Sequence, residues 1–409
     1  MPDALALAES LLREEISPDE ARPFSFTGDL VEVADGIAFL PSFANVTAVR
    51  ADGELVLIDT GSPLTAGIVY EQVRGWSPAP VGTAIYTHGH IDHVFGTAPF
   101  EAEGAVRVVA HENVSARFDR YRKTAGYNGV INRRQFRLPE LEWPTEYRYP
   151  DDTYRDELSL DVGERRFDLH HGKGETDDAT WVFIPDAKVL CCGDFFIWAT
   201  PNAGNPQKVQ RYPAEWATAL RAMAALDAEV LLPGHGVPIV GMKRVRAALE
   251  DTAELLESLV GQTLELINNG ASLDSVLHTV KTPEHLARKP YLRATYDEPE
   301  FIVRNIWRLY AGWFDGDPSS LKPAPQRTLA LELADLAGGV AAIASRARDV
   351  ATQGDLRLAC GLVEIAFRAA PNDSSVRAAR ADLYARRAET EASTMAKGIY
   401  SWAADEARR

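Results

Sequence analysis

The run from Thr87 to His93 carries the side chains of this sequence with the most specific chemical potential. His88, His90, Asp92 and His93 stand in a His-x-His-x-Asp-His spacing. Imidazole nitrogens and carboxylates are ligands that zinc and similar divalent ions prefer. A tight loop that carries four such groups can aim them at one point, so the run predicts a hydrolytic site for two metal ions. The alternative is a histidine-rich surface loop without a metal.

The elements around this run fit a metal site. Residues 81–87 form a short apolar, β-branched stretch, which predicts a buried strand that ends where the motif begins. Each metal ion needs three or more protein ligands, so further ligands must come from later strand ends. Glu175 in a glycine-rich turn, Asp194 after an apolar run, and His235 between two glycines are the candidates. Glu175 could instead cap a following helix, and Asp194 could be a plain turn residue.

The wider pattern divides the chain near residue 240. Residues 24–238 alternate short apolar runs with helical patterns, which predicts an α/β domain over residues 1–240. The predicted strands are 31–40, 46–59, 105–110, 180–184, 189–192 and 230–232, with a helix at 64–76. The remainder, residues 241–409, reads as nearly all helical. The predicted helices there are 245–267, 272–280, 300–313, 328–347, 355–369 and 375–404.

Composition narrows the function classes. The net charge of −16 over 409 residues argues against nucleic acid and against anionic membrane surfaces as partners. The three cysteines do not form a disulfide framework, and no stretch reads as a signal peptide or a membrane span. These features predict a soluble, cytoplasmic protein.

The order of these pieces, together with Asp59-Thr60-Gly61, resembles the metallo-β-lactamase-fold hydrolases. Most members carry a histidine where this chain has Glu175, and that glutamate resembles the alkyl sulfatase branch. Residues 303–316 resemble the alkyl sulfatase dimerisation domain. The resemblance implies an αβ/βα sandwich followed by an all-α helical domain that forms a homodimer. The third, sterol-carrier-like domain of long alkyl sulfatases has no counterpart in the sequence, which also favours an intracellular role.

Ligands follow from this resemblance by position. His88, His90 and Glu175 would hold one metal ion, while Asp92, His93 and His235 would hold the other. Asp194 would bridge the two ions where alkyl sulfatases have a glutamate, and Asp59 would lie behind the ligands. The expected cofactor is two divalent ions per chain, with zinc first and manganese or iron as alternatives.

Four further residues are candidates for holding a sulfate group. Lys208 and Arg211 follow the Asp194 strand, and the resemblance aligns Arg211 with one of two sulfate-binding arginines. Tyr127 and Asn128 match a loop that helps hold sulfate. Lys208 and Arg211 could instead lie in a solvated loop.

The expected function is hydrolysis of an anionic small molecule, an alkyl sulfate ester, to alcohol and sulfate. Sulfate is a good leaving group, so cleavage of the C–O bond needs no strong general acid, and this is the bond expected to break. Two alternatives stay open at this point. The same fold could act on another ester, a lactone, a β-lactam or a phosphoester, or the chain could be a dimeric scaffold with a vestigial pocket.

Overall fold

The computed structural model describes residues 3–409, which fall into two compact units. The first contains the chain up to Ala125 together with 144–271 and 275–312. The second contains 126–143, 272–274 and 313–409. The segment between residue 240 and residue 312 therefore groups largely with the first unit. Because the two units are built from alternating segments of the chain, the domain boundary predicted near residue 240 stays a prediction.

The first unit is built on two sheets. One sheet has seven strands in sequential order, β1 to β7. They are Val31–Ala34, Ile37–Leu40, Val46–Ala51, Glu54–Ile58, Val81–Ile85, Arg107–His111 and Asp152–Tyr154. The other sheet has six strands in the order β13-β12-β11-β10-β9-β8. From β8 to β13 these are Glu157–Val162, Arg165–His171, Thr180–Ile184, Val189–Gly193, Val230–Pro233 and Ile239–Val240.

Strand direction brings the site loops to one edge of each sheet. Strands β4, β5 and β6 run parallel, so the loops that follow β4 and β5 leave from the same edge. Strand β11 is parallel to β12, with Cys191 opposite Leu232, so the loops after these two strands also share an edge. Two backbone hydrogen bonds join segments of the two sheets there, from Thr180 N to Thr87 O at 2.7 Å and from Asn45 N to Gly234 O at 2.8 Å.

The central strands are apolar because both of their faces are covered. Every residue of β2, β11 and β12 is buried, and their sequences are continuous apolar runs rather than alternating ones. Asp52 and Gly53 form the turn between β3 and β4, with φ of +46° and +86°, so the predicted strand 46–59 is a hairpin of two strands. Cys191, Cys192 and Cys360 are free and buried, in agreement with the absence of a disulfide framework.

Helices flank the sheets of the first unit and form its C-terminal part. From α1 to α6 they are Ala4–Leu12, Pro18–Ala21, Ala66–Trp76, Ile91–Val94, Ala98–Glu101 and Asn113–Lys123. From α8 to α12 they are Pro213–Ala224, Met242–Asn268, Leu273–Thr279, Glu284–Ala287 and Pro299–Tyr310. Helix α9 packs against α8 and α12 along its length.

The second unit is helical and has a core rich in alanine. Its helices are α7 (Ala125–Phe136), α13 (Pro318–Leu321), α14 (Gln326–Leu336), α15 (Val340–Thr352), α16 (Leu356–Ala369), α17 (Ser374–Thr390) and α18 (Thr394–Arg408). Two long predicted helices were wrong, because each is a pair. Gly338 and Gly339, with φ of +81° and +114°, separate α14 from α15. Residues 391–393 separate α17 from α18.

Membrane-spanning potential is limited to one bent pair. Within residues 3–409, no single helix is long and apolar enough to cross a membrane, although α14 and α15 together pass by length and composition and meet at 85°.

Candidate metal centre and anion-binding loop

The loop after β5 is fixed from behind by a buried carboxylate. Asp59 accepts hydrogen bonds from the backbone N–H of Thr87 and from the Thr87 hydroxyl, both at 2.7 Å. Its Oδ2 also lies 2.7 Å from His93 Nδ1. A carboxylate on one ring nitrogen leaves the other to act as a metal ligand, so Asp59 directs His93 Nε2 towards the other candidate ligands. Asp59 adopts φ +57°, which places its side chain under the loop.

A buried ion pair supports the same loop from a second direction. Asp178 Oδ2 accepts a hydrogen bond from Gly89 N at 3.0 Å, and Gly89 lies between His88 and His90. Arg117 Nε donates to the same oxygen at 2.8 Å. A side chain at position 89 would meet both partners, with Arg117 Cδ at 3.0 Å and Asp178 Oδ2 at 3.1 Å. A Cβ at this position would press on the ion pair, and the Asp178 hydrogen bond ties the backbone between the two histidines to that pair.

One group of candidate ligands joins the β5 loop to the β12 loop. His235 Nε2 lies 3.6 Å from Asp92 Oδ2, and His93 Nε2 lies 3.9 Å from the same oxygen. The three ligand atoms lie within 4.8 Å of one another, a separation that one divalent ion can span. These are the three residues assigned to one ion from the sequence.

Asp194 lies between that group and the rest. Its Oδ1 is 3.4 Å from His93 Nε2 and 3.6 Å from His235 Nε2, while its Oδ2 is 3.7 Å from His88 Nε2. Two carboxylate oxygens that face two different histidine sets are the arrangement a bridging ligand requires. Its side chain is buried in the turn that follows β11.

The remaining candidates gather around His90 and Glu175. His90 Nδ1 lies 3.7 Å from Glu175 Oε1 and 2.8 Å from His88 Nε2. Glu175, His90 and Asp194 also have ligand atoms within 4.8 Å of one another. The structure thus brings all seven predicted ligands together, although the division of the seven between two ions stays a prediction.

Orphaned buried atoms test whether a cation fits. Among the residues described, His93 Nε2, Asp194 Oδ1 and Glu175 Oε2 are buried and make no hydrogen bond. A buried polar atom without a partner costs free energy, and buried charges are normally paired or bound to metals. These atoms are a nitrogen and two carboxylate oxygens that face the cluster, so the donor set fits divalent metal ions.

Burial and neighbouring charges shift the pKa values of the candidate ligands in both directions. Burial tends to lower the pKa of His93 and of His235, but Asp194 and the other nearby carboxylates outweigh it and raise both. Burial lowers the pKa of His88 to about 3, and it lowers that of His90 well below its ordinary value. Burial tends to raise the pKa of Asp194, but His235 and His93 outweigh it and hold that pKa well below its usual range. Burial raises the pKa of Glu175 well above its usual range despite the nearby Arg211. A bound cation would favour the charged form of Glu175.

The turn that carries His235 is held by the loop between β2 and β3. The side-chain amide of Asn45 donates to Pro233 O at 2.9 Å and to Gly236 O at 3.1 Å, one on each side of the histidine. His235 Nδ1 lies 2.5 Å from Phe43 O. Because a carbonyl can only accept, this contact places the proton on Nδ1 and leaves Nε2 for the metal.

The segment 199–211 forms a buried polar loop beside Glu175. Arg211 NH2 lies 3.1 Å from Glu175 Oε1, and Asn202 Nδ2 donates to the same oxygen. Arg211 Nε and Asn205 Nδ2 are buried without hydrogen-bond partners within residues 3–409. Burial, with Arg211 next, lowers the pKa of Lys208 to about 8. Clustered, desolvated donors of this kind suit an anion.

Helix α12 holds this loop in place. Asn305 Nδ2 donates to Arg211 O at 3.1 Å, and buried Asp297 accepts from Gly204 N at 2.6 Å. A Cβ at Gly204 would lie 2.1 Å from Ile302 N, so the loop backbone rests directly on the first turn of the helix. The loop is therefore part of the scaffold rather than a solvated segment, and the solvated alternative for Arg211 is wrong.

A further alternative raised by the sequence is that Glu175 caps a helix. Glu175 caps no helix, because residues 176–179 form bends that lead into β10. His170 stacks on Trp181, and His171 stacks on His111; within residues 3–409, none of these three histidines belongs to the candidate ligand groups.

Tyr127 and Asn128 lie on α7 and not on a loop. Tyr127 is 60% exposed, whereas Asn128 is buried. Helix α7 groups with the second unit, so a role for these two residues in holding sulfate stays a prediction.

Sequence reasoning missed the supporting residues Asn45, Asn202, Asp178 and Arg117. Asp178 had a signal, since it ends the acidic run that begins at Glu175 in the turn before β10. Asn45 and Asn202 had none, because their partners are 188 and 27 residues away along the chain.

Comparisons with known proteins define the class. The model of the metallo-beta-lactamase superfamily matches residues 40–235, and the model named alkyl sulfatase dimerisation matches residues 272–409. The fold is therefore that of a metallo-β-lactamase-superfamily hydrolase.

Relatives narrow the class further. A linear primary-alkylsulfatase from Pseudomonas sp. is 30% identical over 364 residues, which is 83% of this chain and 69% of that protein. An (R)-specific secondary-alkylsulfatase from Pseudomonas sp. is 28% identical over 374 residues, 83% of this chain and 56% of that protein. The chain belongs to the alkyl sulfatase family.

A solved structure extends the likeness over the whole fold. The stereoselective inverting sec-alkylsulfatase Pisa1 from Pseudomonas sp. matches with a TM-score of 0.86 and 24% identity, over 98% of this chain and 70% of that chain. The αβ/βα sandwich followed by a helical region, expected from the sequence, is confirmed.

Proposed function

We propose that this protein is a metal-dependent alkyl sulfatase that hydrolyses alkyl sulfate esters to an alcohol and sulfate. One observation carries the proposal: a cluster of seven metal-ligand side chains lies against a buried loop with donors aimed at no protein acceptor. A metal centre beside a desolvated anion site suits an ester whose charge is concentrated at one end. Family membership supports the same activity.

We further propose two divalent ions per chain, with zinc as the ion expected first. His88, His90 and Glu175 would hold one ion, and Asp92, His93 and His235 the other. When bound, such ions supply electrostatic stabilisation of the anionic ester and lower the pKa of water at the site. Asp194 would bridge them, since its two oxygens face different histidines.

The chain's own donors act on the sulfate end of the ester. Arg211 presents a buried guanidinium whose planar N–H groups match the geometry of sulfate oxygens. Asn205 and Lys208 lie on the same loop and can supply further donors. Asn202 and Arg211 also hold Glu175 Oε1, so the loop couples the position of a metal ligand to the position of the anion.

The bond that breaks is proposed to be the C–O bond. Sulfate leaves without needing a proton, and the buried donors of the 199–211 segment stabilise its charge as it departs. Cleavage at sulfur would expel an alkoxide, which needs a general acid. Hydrolysis in water labelled with oxygen-18 should place the label in the alcohol. Label recovered in the sulfate would overturn this part of the proposal.

The activity is tested by sulfate release from the metal-loaded full chain. Substrates should include alkyl sulfates from ethyl to dodecyl, the matching alkyl phosphates, and a lactone. We expect turnover of alkyl sulfates that is lost on chelation and in His88→Ala. The exposed carboxylate variant Asp186→Asn serves as a control, since this residue lies between β10 and β11, at the opposite end of the second sheet from Asp194. Turnover of phosphates or the lactone alone would refute a sulfatase.

We propose a homodimer formed through the helical second unit. Four leucines of α14 are exposed at 37% to 83%: Leu329, Leu331, Leu333 and Leu336. Large exposed apolar surfaces usually mark association sites, and this helix lies in the part that matches the dimerisation model. Sedimentation should give a dimer that Leu336→Arg weakens. A wild-type monomer at micromolar concentration would contradict the proposal. The cytoplasmic location also stays a proposal, for which cell fractionation is the test.

A further inference from the structure

An exposed aromatic ring stands beside the candidate metal ligand His235. Phe43, in the loop between β2 and β3, is 42% exposed. Its ring meets the His235 ring edge-on, with 6.0 Å between centroids. The carbonyl of the same residue lies 2.5 Å from His235 Nδ1. Phe43 thus uses its backbone to orient the ligand and leaves its side chain partly in solvent next to it.

The loop that carries Phe43 is rigid. Besides the two side-chain bonds that clasp the His235 turn, Asn45 donates its backbone N–H to Gly234 O at 2.8 Å. Asn45 Oδ1 accepts from Ser42 N at 3.1 Å, so the loop is also closed on itself. A side chain on a loop fixed in this way is preorganised, and it can bind without the cost of ordering a mobile segment.

Two more rings extend the apolar surface. Phe24 stacks on His235 with 4.9 Å between centroids, and Tyr296 stacks on Phe24 with 4.5 Å between centroids. Neither ring is fully buried. All three aromatic residues belong to the first unit, as do the seven ligands.

The metal centre therefore has two unlike sides. Glu175 contacts the cationic, amide-rich loop through Arg211 and Asn202. His235 contacts Phe43 and Phe24, and no Lys or Arg side chain is among its described partners. Asp194 touches both ligand groups and marks the middle. An alkyl sulfate is likewise an anion at one end and an apolar chain at the other.

We propose that Phe43, continued by Phe24, is the apolar wall that receives the organic group of the ester. This inference rests on the proposed function and deepens it, because it assigns the chain end of the substrate to the His235 side and selects for apolar alkyl groups over short or polar ones. The sulfate end then lies towards Arg211, and the ester bond lies over the ligand cluster.

The test is a chain-length series measured with wild type, Phe43→Ala and Phe43→Leu. Each methylene that gains full burial adds up to roughly fourfold to kcat/KM, so wild type should rise along the series from ethyl to octyl sulfate. Phe43→Ala should lose about tenfold on octyl sulfate and less than about twofold on ethyl sulfate, which flattens the series. Phe43→Leu, which keeps an apolar side chain, should restore most of the slope.

Controls distinguish a failure of this inference from a failure of the proposed sulfatase function. Metal content must be equal in all variants, since Phe43 also orients His235. Val240→Ala removes a similarly exposed apolar side chain (44%) from β13, at the end of the six-stranded sheet opposite the His235 turn, and should leave the series unchanged. An equal loss of kcat/KM at every chain length would make Phe43 a positioning residue for His235 and would overturn the proposal of an apolar wall. A chain-length series in Phe43→Ala that is the same as in wild type would also overturn it. No sulfate release by wild type from any ester would instead refute the proposed function.

Discussion

The metal centre has two sides, and different interactions hold the ligand on each: Glu175 on one side and His235 on the other. Glu175 is held by charge and amide donors from the 199–211 segment. Asn305 on α12 and Asp297 just before that helix brace the segment. His235 is held by neutral backbone and amide hydrogen bonds and by aromatic stacking. The first arrangement places positive charge next to a carboxylate. The second places aromatic rings next to an imidazole.

This difference shows how one cluster can suit an amphipathic ester. Buried cationic groups stabilise an anion because low dielectric strengthens charge–charge interactions. An aromatic surface attracts an alkyl chain through the hydrophobic effect. If the comparison is right, variants on the two sides must fail differently.

The largest effect is expected where the two sides meet. Asp194→Asn keeps the shape of the side chain but removes its charge and one acceptor, so it should lower kcat by roughly a thousandfold. Metal content, measured by mass spectrometry, should fall at the same time. Asp186→Asn, an exposed carboxylate of the same sheet, is the matched control. Near-normal activity in Asp194→Asn would show that Asp194 does not bridge two metal ions.

On the Glu175 side, Arg211→Ala should lower kcat/KM by about a hundredfold, because a buried donor to developing negative charge is lost. The loss should be the same for ethyl and octyl sulfate, unlike that of Phe43→Ala. Steady-state kinetics across the series measures both. A loss that grew with chain length would contradict the assignment of this side to the anion.

On the His235 side, Asn45→Ala should weaken metal binding at that ligand group by about 10- to 100-fold, because residues that hold ligands in place tune affinity. Competition titration with a chelator should then show one weakened and one unchanged metal equivalent. Asn45→Asp, which has the same size but lacks the two N–H donors, should behave in the same way. Loss of both metal equivalents would instead indicate that the substitution disrupts the whole metal centre.

The smallest predicted effect is on the pH dependence of the free energy of unfolding. Burial raises the pKa of Asp178, but Arg117 outweighs it and lowers that pKa to about 2. A depressed carboxyl pKa stabilises the fold above the unfolded value near 4, and this contribution of about 2 kcal/mol disappears as pH falls through 2. The free energy of unfolding of Asp178→Asn should therefore be lower than that of wild type at pH 7, and the gap should narrow below pH 4. A gap independent of pH would show that the ion pair contributes only through packing.

Sequence could predict the ligands because their positions depend on short-range order. The spacing of His88, His90 and His93, and the glycines around His235, are local features that strand ends then bring together. Strands β10, β11 and β12 were predictable for the same reason, since continuous apolar runs indicate strands covered on both faces.

What sequence could not predict depends on long-range contacts. Asn45 and the Asp297 brace act across 188 and 93 residues, and nothing near them in the chain indicates a partner. The predicted helices 328–347 and 375–404 were too long because helical periodicity continues across a break. Only the left-handed backbone at Gly338 and Gly339 reveals the first break.

The most direct test is a crystal structure of the metal-loaded protein with octyl sulfonate, a sulfate mimic that lacks the scissile C–O bond. Anomalous scattering should locate two metal ions, one beside His90 and Glu175 and one beside Asp92 and His235, with Asp194 touching both. The sulfonate should lie against Lys208 and Arg211, and the alkyl chain along Phe43 and Phe24. A sulfonate bound on the His235 side, or a chain that runs towards Arg211, would contradict the account.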